Sequence, residues 1–384
     1  MKLSVSKRSS RLVRSEIRNM SVECEKAGGI NMSQGVCNMP LPTAVKKGAV
    51  KAMDDGLNYY SRHDGLPELR NAIAAKMKRH NGIYANPETD VVVSAGSTGA
   101  FYCACLALLN PGDEVIIFEP YYEYHINTLI AAGAKPVYVK LSPPDWSFDL
   151  KDLAKAIGPR TKGIMINTPS NPAGKVFSLA ELKDIARLAI KHDFFVFTDE
   201  IYEYFVYDGL KHISPGSLSE IKNRTITISG YSKAFSITGW RIGYCVCDSK
   251  WAKMIGYIND LVYVCGPTPL QMGVANGIMK LPDSFYQNLC RKYYLKRNEI
   301  CNILSRIGLT PFAPKGAYYI LADVDILPGK TSKDKSMYLL KKTGVATVPG
   351  EAFYHSKGGE NIVRFCFAKS EQELAEASIR LLKL

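Results

Sequence analysis

The sequence predicts an α/β protein: a mostly parallel central sheet sandwiched by helices, with a smaller α/β domain built from both termini. Three observations predict it. From about Val91 to Asp260, short β-branched runs alternate with helical stretches, the pattern of a parallel sheet covered on both faces. Residues before about 45 and after about 290 instead mix longer helical patterns with isolated strands. At 384 residues and 46% hydrophobic composition the chain can bury a large core and form two or so domains. These shifts set expected bounds: residues 1–45 as an arm and part of the small domain, 46–290 as the large domain, and 291–384 as the rest of the small one.

The elements follow in order. Ser15–Lys26 reads as a short helix leading out of a basic, serine-rich arm. Val91–Val93 is a strand followed by a helix over Ser97–Leu109, and Asn110-Pro-Gly-Asp113 makes a turn into strand Glu114–Phe118. A helix from Tyr121 to Ala132 comes next. Further strands fall at Pro136–Lys140, Gly163–Asn167, Phe194–Thr198, Thr225–Ser229 and Ile242–Val246, with a helix over Leu179–Lys191. Beyond residue 280, helical spacing covers Tyr286–Ile307, Ser336–Thr343 and Glu371–Leu384. In such sheets ligands bind outside the carboxyl ends of the strands.

Composition removes several function classes. The formal charge of +13 is spread along the chain without a helix-turn-helix or RNA-binding signature, so no nucleic-acid partner is expected. The uncharged run Leu261–Met279 is broken by Pro267, Pro269, Gln271 and Asn276, so no membrane span is expected. Ten scattered cysteines show no metal or redox spacing, and six histidines show no HExxH arrangement. No metal site is therefore expected, and a reducing cytoplasm is the natural compartment. The basic first fourteen residues lack the apolar core of a secretory signal.

Five segments carry the chemistry. Ser229-Gly-Tyr-Ser-Lys233 continues through Ala-Phe-Ser-Ile-Thr-Gly-Trp to Arg241, placing a lysine just after a strand, in a polar turn at the sheet's ligand edge. Such an amine can attack an aldehyde, and Arg241 can neutralise a phosphate. Ser94-Ala-Gly-Ser-Thr98 lies between a strand and a helix start, where backbone N–H groups can cradle an anion. Asn167-Thr-Pro-Ser-Asn171 and Thr198-Asp199-Glu200-Ile-Tyr202 also follow strands. Arg364 sits in the otherwise apolar Asn361-Ile-Val-Arg-Phe-Cys-Phe367 and must find an anion from protein or ligand. Taken singly, each reads equally well as a surface lysine, a helix cap or a bare loop. Pro328-Gly-Lys-Thr331 imitates the end of a nucleotide loop, but Val324 stands where its first glycine belongs.

Together, in this order and spacing from about Ser15 to Leu384, the segments resemble the class I/II aminotransferases, pyridoxal-phosphate enzymes of fold type I. The resemblance implies that Lys233 carries pyridoxal 5′-phosphate as a Schiff base and shifts protons, and that Asp199 pairs with the pyridine nitrogen. It further implies that Asn171 and Tyr202 bond the ring hydroxyl and that Tyr122 stacks on the ring. Ser97, Thr98, Ser232 and Arg241 match phosphate contacts, and Tyr60 matches a tyrosine reaching the partner subunit's phosphate in a homodimer. Arg364 matches the fork for the substrate α-carboxylate, which Gly35 and Asn171 border. Ser97 stands where some aspartate-specific relatives carry lysine, and Val36-Cys37-Asn38-Met39 departs from the usual run. A neutral or aromatic side chain is therefore favoured over an acidic one. The expected activity is transfer of an L-amino acid's nitrogen to a 2-oxo acid by a ping-pong cycle. A lyase or synthase on the same cofactor and, further off, a non-catalytic ligand sensor remain alternatives.

Overall fold

Valine, isoleucine and phenylalanine crowd seven segments whose side chains alternate between two apolar layers, and these segments form the central sheet. The computed structural model describes residues 3–12, 14–37 and 39–384. Its strands are β1 (Ile30–Asn31), β2 (Val91–Ala95), β3 (Glu114–Glu119), β4 (Lys135–Lys140), β5 (Thr161–Asn167), β6 (Phe195–Asp199) and β7 (Thr225–Gly230). There follow β8 (Ile242–Val246), β9 (Thr310–Phe312), β10 (Tyr319–Asp323), β11 (Val345–Ala346), β12 (Val348–Pro349) and β13 (Ile362–Cys366).

The large sheet has the order β2-β8-β7-β6-β5-β3-β4. Strand β8 is antiparallel to both its neighbours, and every other pairing is parallel. The two-residue period of a strand sends Ile116, Phe118, Ile164, Ile166 and Val196 to one apolar layer. Val115, Ile117, Met165 and Phe197 go to the other. The helix Leu179–Lys191, opened by a capping box between Ser178 and Glu181, covers the first layer through Leu182, Ile185, Ala186 and Ala189. The helix Gly96–Leu108 covers the second. At about 25 cal/mol per Å² of apolar surface removed from water, these two layers are a principal source of stability.

A four-stranded antiparallel sheet, β12-β13-β10-β9, is formed from the C-terminal residues. Strand β1 pairs in parallel with β11, Ile30 beside Val345, and this ties the first part of the chain to the last. That union of both ends is what the sequence predicts. It brings Ser33 and Gly35 to the strand that carries Arg364. Thr331 of the false nucleotide loop is a helix cap, its side chain accepting from the Asp334 N–H. Among the described residues no helix is long and apolar enough to cross a membrane.

Candidate active site

Five strands of the large sheet, β2, β3, β5, β6 and β7, end at one edge, and the chemistry-bearing segments follow their last residues. After β7 the chain turns through Ser232 to Lys233, whose Nζ donates to the Gly35 carbonyl at 3.2 Å. The same nitrogen lies 5.9 Å from the ring centres of Tyr202 and Tyr318. Part of the side chain's surface stays open to a cavity, yet the ammonium is enclosed by protein. Burial therefore holds it below lysine's ordinary pKa, outweighing the opposing pull of Cys37, Cys366 and Asp199.

Asp199 ends β6 and is buried. One carboxylate oxygen lies 3.0 Å from His125 Nε2, and the other accepts from the Ile201 N–H at 3.2 Å. The Asn167 amide, from the end of β5, donates to the Asp199 carbonyl at 3.0 Å. Tyr202 follows, its hydroxyl 2.9 Å from that of Tyr319. Burial raises the Tyr202 phenol, with Tyr319 adding to it, so the ring stays protonated. Tyr122 leads into the helix Glu123–Ala132 and meets His125 edge to face at 5.3 Å.

The turn after β2 makes the anion-facing wall. Ser97 and Thr98 occupy the first turn of the helix Gly96–Leu108, where unpaired N–H groups and the helix dipole favour negative charge. Arg241 holds a left-handed conformation, φ +58°, and its Nη1 donates to the Thr238 carbonyl at 2.8 Å. Two glycines let the arginine lie against that turn. A Cβ on Gly96 would fall 2.3 Å from Arg241 Nη2, and one on Gly243 would fall 2.3 Å from the Ser97 nitrogen.

Arg364, in the middle of β13, is 1% exposed. Its Nη1 donates to Asn171 Oδ1 at 2.8 Å and its Nη2 to the Ser33 carbonyl. The guanidinium lies 4.4 Å from the centre of the Tyr319 ring. Its Nε is buried without a hydrogen-bond partner. Its hydrogen-bond acceptors are neutral; the half-buried Glu123 carboxylate lies in its field but forms no ion pair with it. A buried cation with a donor unmet is poised for a carboxylate. Gly35 is obligatory beside it, since a Cβ there would sit 1.9 Å from the Tyr319 hydroxyl oxygen.

These groups share one cavity of about 410 Å³. Lys233, Asp199, Tyr202, Asn171 and Tyr122 line it, as do Ser97, Thr98, Ser232, Arg241, Arg364 and Gly35. Tyr60 does not: it is 78% exposed at the surface. Of the segment predicted to shape the pocket, Val36 lines the cavity and Cys37 is buried, whereas Asn38 lies outside the described residues. Sequence reasoning missed His125, Tyr319, Tyr318 and Arg18. His125 stands one helical turn after Tyr122, and that spacing was its only signal. The arrangement supplies a buried amine of lowered pKa, a fixed carboxylate, an anion-binding turn and a second arginine with an unmet buried donor. Those are the requirements of a phosphorylated pyridine aldehyde and an amino acid carboxylate, so the donor set fits pyridoxal phosphate.

Residues 27–381 match the family model of the aminotransferases of class I and II. The chain is 35% identical over 375 residues to aromatic-amino-acid aminotransferase 2 of Thermococcus litoralis, covering 96% of this chain and 95% of that one. It is likewise 35% identical over 373 residues to the aspartate aminotransferase of Pyrococcus abyssi, with 96% and 95% covered. Among solved structures, the N-succinyldiaminopimelate aminotransferase of Mycobacterium tuberculosis superposes with a TM-score of 0.95 at 32% identity, over 99% of each chain. With the same fold, the same span and a cavity chemically suited to the cofactor, the chain belongs to the class I and II aminotransferases, enzymes that transfer amino groups with pyridoxal phosphate.

Proposed function

We propose that this aminotransferase takes the α-amino group of an L-amino acid with a neutral or aromatic side chain and passes it to a 2-oxo acid in a ping-pong cycle. The observation that carries the reading is the convergence of Lys233, Asp199 and Arg364 on one cavity from three separate strand ends and strands. When bound, the cofactor supplies an aldehyde that condenses with amines and a protonated ring that accepts the electron pair left at substrate Cα.

In this reading Lys233 anchors the cofactor, and the Ser97–Thr98 turn, Ser232 and Arg241 bind its phosphate. Asp199, fixed by His125 and the Ile201 N–H, keeps the ring nitrogen protonated. Asn171 and Tyr202 bond the ring hydroxyl, and Tyr122 covers the ring face. Arg364 binds the substrate α-carboxylate, with Gly35 and Asn171 at its border. That fork orients the substrate so that Lys233 Nζ can hold and move the proton of Cα. A lysine whose pKa is lowered by burial is suited to that task near neutral pH. Donor and acceptor would use the same fork in turn, which is the physical content of ping-pong.

The domain bounds of the sequence reading stay part of the proposal: 1–45 and 291–384 forming the small domain and 46–290 the large one. A homodimer is supported by exposed Tyr59, Tyr60, Leu261, Val262 and Val264. Thr268 Oγ1 ties this region together by donating to the Tyr59 carbonyl at 2.7 Å. Apolar surface of this kind marks an interface, and Tyr60 would serve the neighbouring subunit's phosphate. All ten cysteines are free, which supports a reducing cytoplasm.

A visible-absorption titration with a panel of L-amino acids tests the reading. The expected result is a cofactor band bleached by neutral and aromatic donors and restored by a 2-oxo acid, without release of ammonia. No band after addition of pyridoxal phosphate, or ammonia released in step with bleaching, would overturn it.

A further inference from the structure

Strand β10 begins at Tyr319, two residues before Leu321, and Leu321 stands opposite Arg364 on β13. Paired residues of neighbouring strands share a face, so Tyr319, Leu321 and Arg364 point to one side of the small sheet. That register lays the arginine against the Tyr319 ring. The guanidinium carbon is 4.4 Å from the centre of that ring and 5.1 Å from the centre of Phe353. The far end of the same ring reaches Tyr202, the two hydroxyl oxygens 2.9 Å apart. Tyr319 is buried, lines the cavity, and has no task in the reaction just described.

Counting hydrogens gives the contact between the two phenols a direction. Each phenol has one hydrogen to donate and lone pairs to accept with. In the cofactor-free cavity either oxygen can be the donor. If Tyr202 donates to Tyr319, its hydrogen is spent and none remains for the cofactor's ring oxygen. If Tyr319 donates, the Tyr202 hydrogen is free for that oxygen, and the first bond polarises the second. Arg364 favours the latter arrangement, because a cation beside Tyr319 lowers the phenol pKa that burial first raises and makes it a better donor. Gly35 gives the hydroxyl its place: a Cβ there would fall 1.9 Å from the Tyr319 oxygen.

We propose that Tyr319 is a positioning residue, whose hydroxyl donates to Tyr202 and turns the Tyr202 hydrogen onto the cofactor's ring oxygen, while its ring braces the Arg364 guanidinium for a carboxylate. The proposal rests on the reading of this cavity as the aminotransferase site. It adds a residue that acts on cofactor and substrate through two others.

The test follows the visible absorbance of the bound cofactor against pH in wild type, Tyr319→Phe, Tyr202→Phe and the double variant. A ring oxygen less firmly bonded makes the nitrogen that joins Lys233 to the cofactor more basic. The absorbance midpoint should therefore rise by about 0.5–1 pH unit in Tyr319→Phe, the equivalent of one ordinary hydrogen bond. On the Tyr202→Phe background the same substitution should add less than about 0.2 unit, because its effect passes through Tyr202. The second readout is the inhibition constant of 3-phenylpropionate, a carboxylate without an amine. It should stay within about threefold in Tyr319→Phe, which keeps the ring, and rise about tenfold in Tyr319→Leu, which loses the cation–π contact. A midpoint unchanged or lowered in Tyr319→Phe, an equal shift with and without the Tyr202 hydroxyl, or equal inhibition constants in Tyr319→Phe and Tyr319→Leu would overturn the assignment. Failure of Tyr319→Phe to fold, read by circular dichroism, would contradict a role confined to positioning. A wild-type protein with no cofactor band would instead sink the reading of the cavity itself.

Discussion

At the scale of single residues, the account turns on a lysine kept less basic than usual by its surroundings. Removing the amine tests this in two ways. Lys233→Met should lower turnover by at least about a thousandfold, the upper range for loss of a general base. The unfolded chain's lysine has its ordinary pKa of about 10.4, and the folded one is lower because of burial. Below the folded value the charged amine costs the cofactor-free protein stability. As pH rises toward 10.4 the unfolded state keeps more protons than the folded one, and that cost disappears. Cofactor-free Lys233→Met should therefore unfold at a higher temperature than cofactor-free wild type at pH 7, and the gap should shrink by pH 10. Thermal unfolding at the two pH values measures it; a gap that widens would contradict the assignment. Lys233, Asp199 and Arg364 were legible in the sequence because each is a charged residue at a strand end or inside an apolar strand. His125 was not, because its partner lies 74 residues away, and only folding makes the histidine a support for Asp199. Arg18 escaped for the same reason, as no local pattern tells which helix face a cavity will meet.

Elements fix these groups in space through close approaches that only glycine permits. Gly243 of β8 lies so near the Gly96–Ser97 peptide that Gly243→Ala must push the strand from the helix start. Retention of pyridoxal phosphate should fall at least about tenfold, read by equilibrium dialysis, while the α-carboxylate site built on β13 stays intact. Equal affinity in the variant would show that the turn does not bind the phosphate. A second element-level test lies in the core beside Tyr204 and Tyr244, where Lys76 and Glu203 form an ion pair of 2.5 Å with both side chains 1% exposed. Burial pushes the Glu203 carboxyl up, but Lys76, His80 and His212 outweigh it and hold the group at about 2. Its contribution is therefore present above the ordinary carboxylate range and lost as pH falls toward 2. Glu203→Gln would strand the Lys76 ammonium in the core and should cost about 3–5 kcal/mol in urea unfolding at pH 7. Glycine also explains which elements were hard to read. The helices Thr43–Asp54 and Thr268–Lys280 pack through Gly48, Gly273 and Gly277, where an added Cβ would fall within 2.5–2.9 Å of the facing helix. Glycine and proline weaken the local helical signal, so the stretch Leu261–Met279 read as a broken apolar run. In the structure it spans a helix end, a turn and most of the next helix.

For the whole molecule, the sheet order joins chain ends to the centre. The sequence alternation foretold a parallel sheet, and the strand positions agree to within a residue or two, because burial on both faces leaves a strong local mark. The antiparallel placement of β8 between β2 and β7, and the pairing of β1 with β11, have no comparable mark. They are set by long-range packing, and the β1–β11 pairing helps complete the cavity by anchoring the chain that brings Ser33 to Arg364. The central claim is that this assembly holds its cofactor on one particular lysine among many. Reduction of the holoenzyme with borohydride, followed by peptide mass mapping, tests it most directly. The account predicts the added pyridoxyl phosphate mass on Lys233 alone, and the mass on another lysine, or on none, would contradict it.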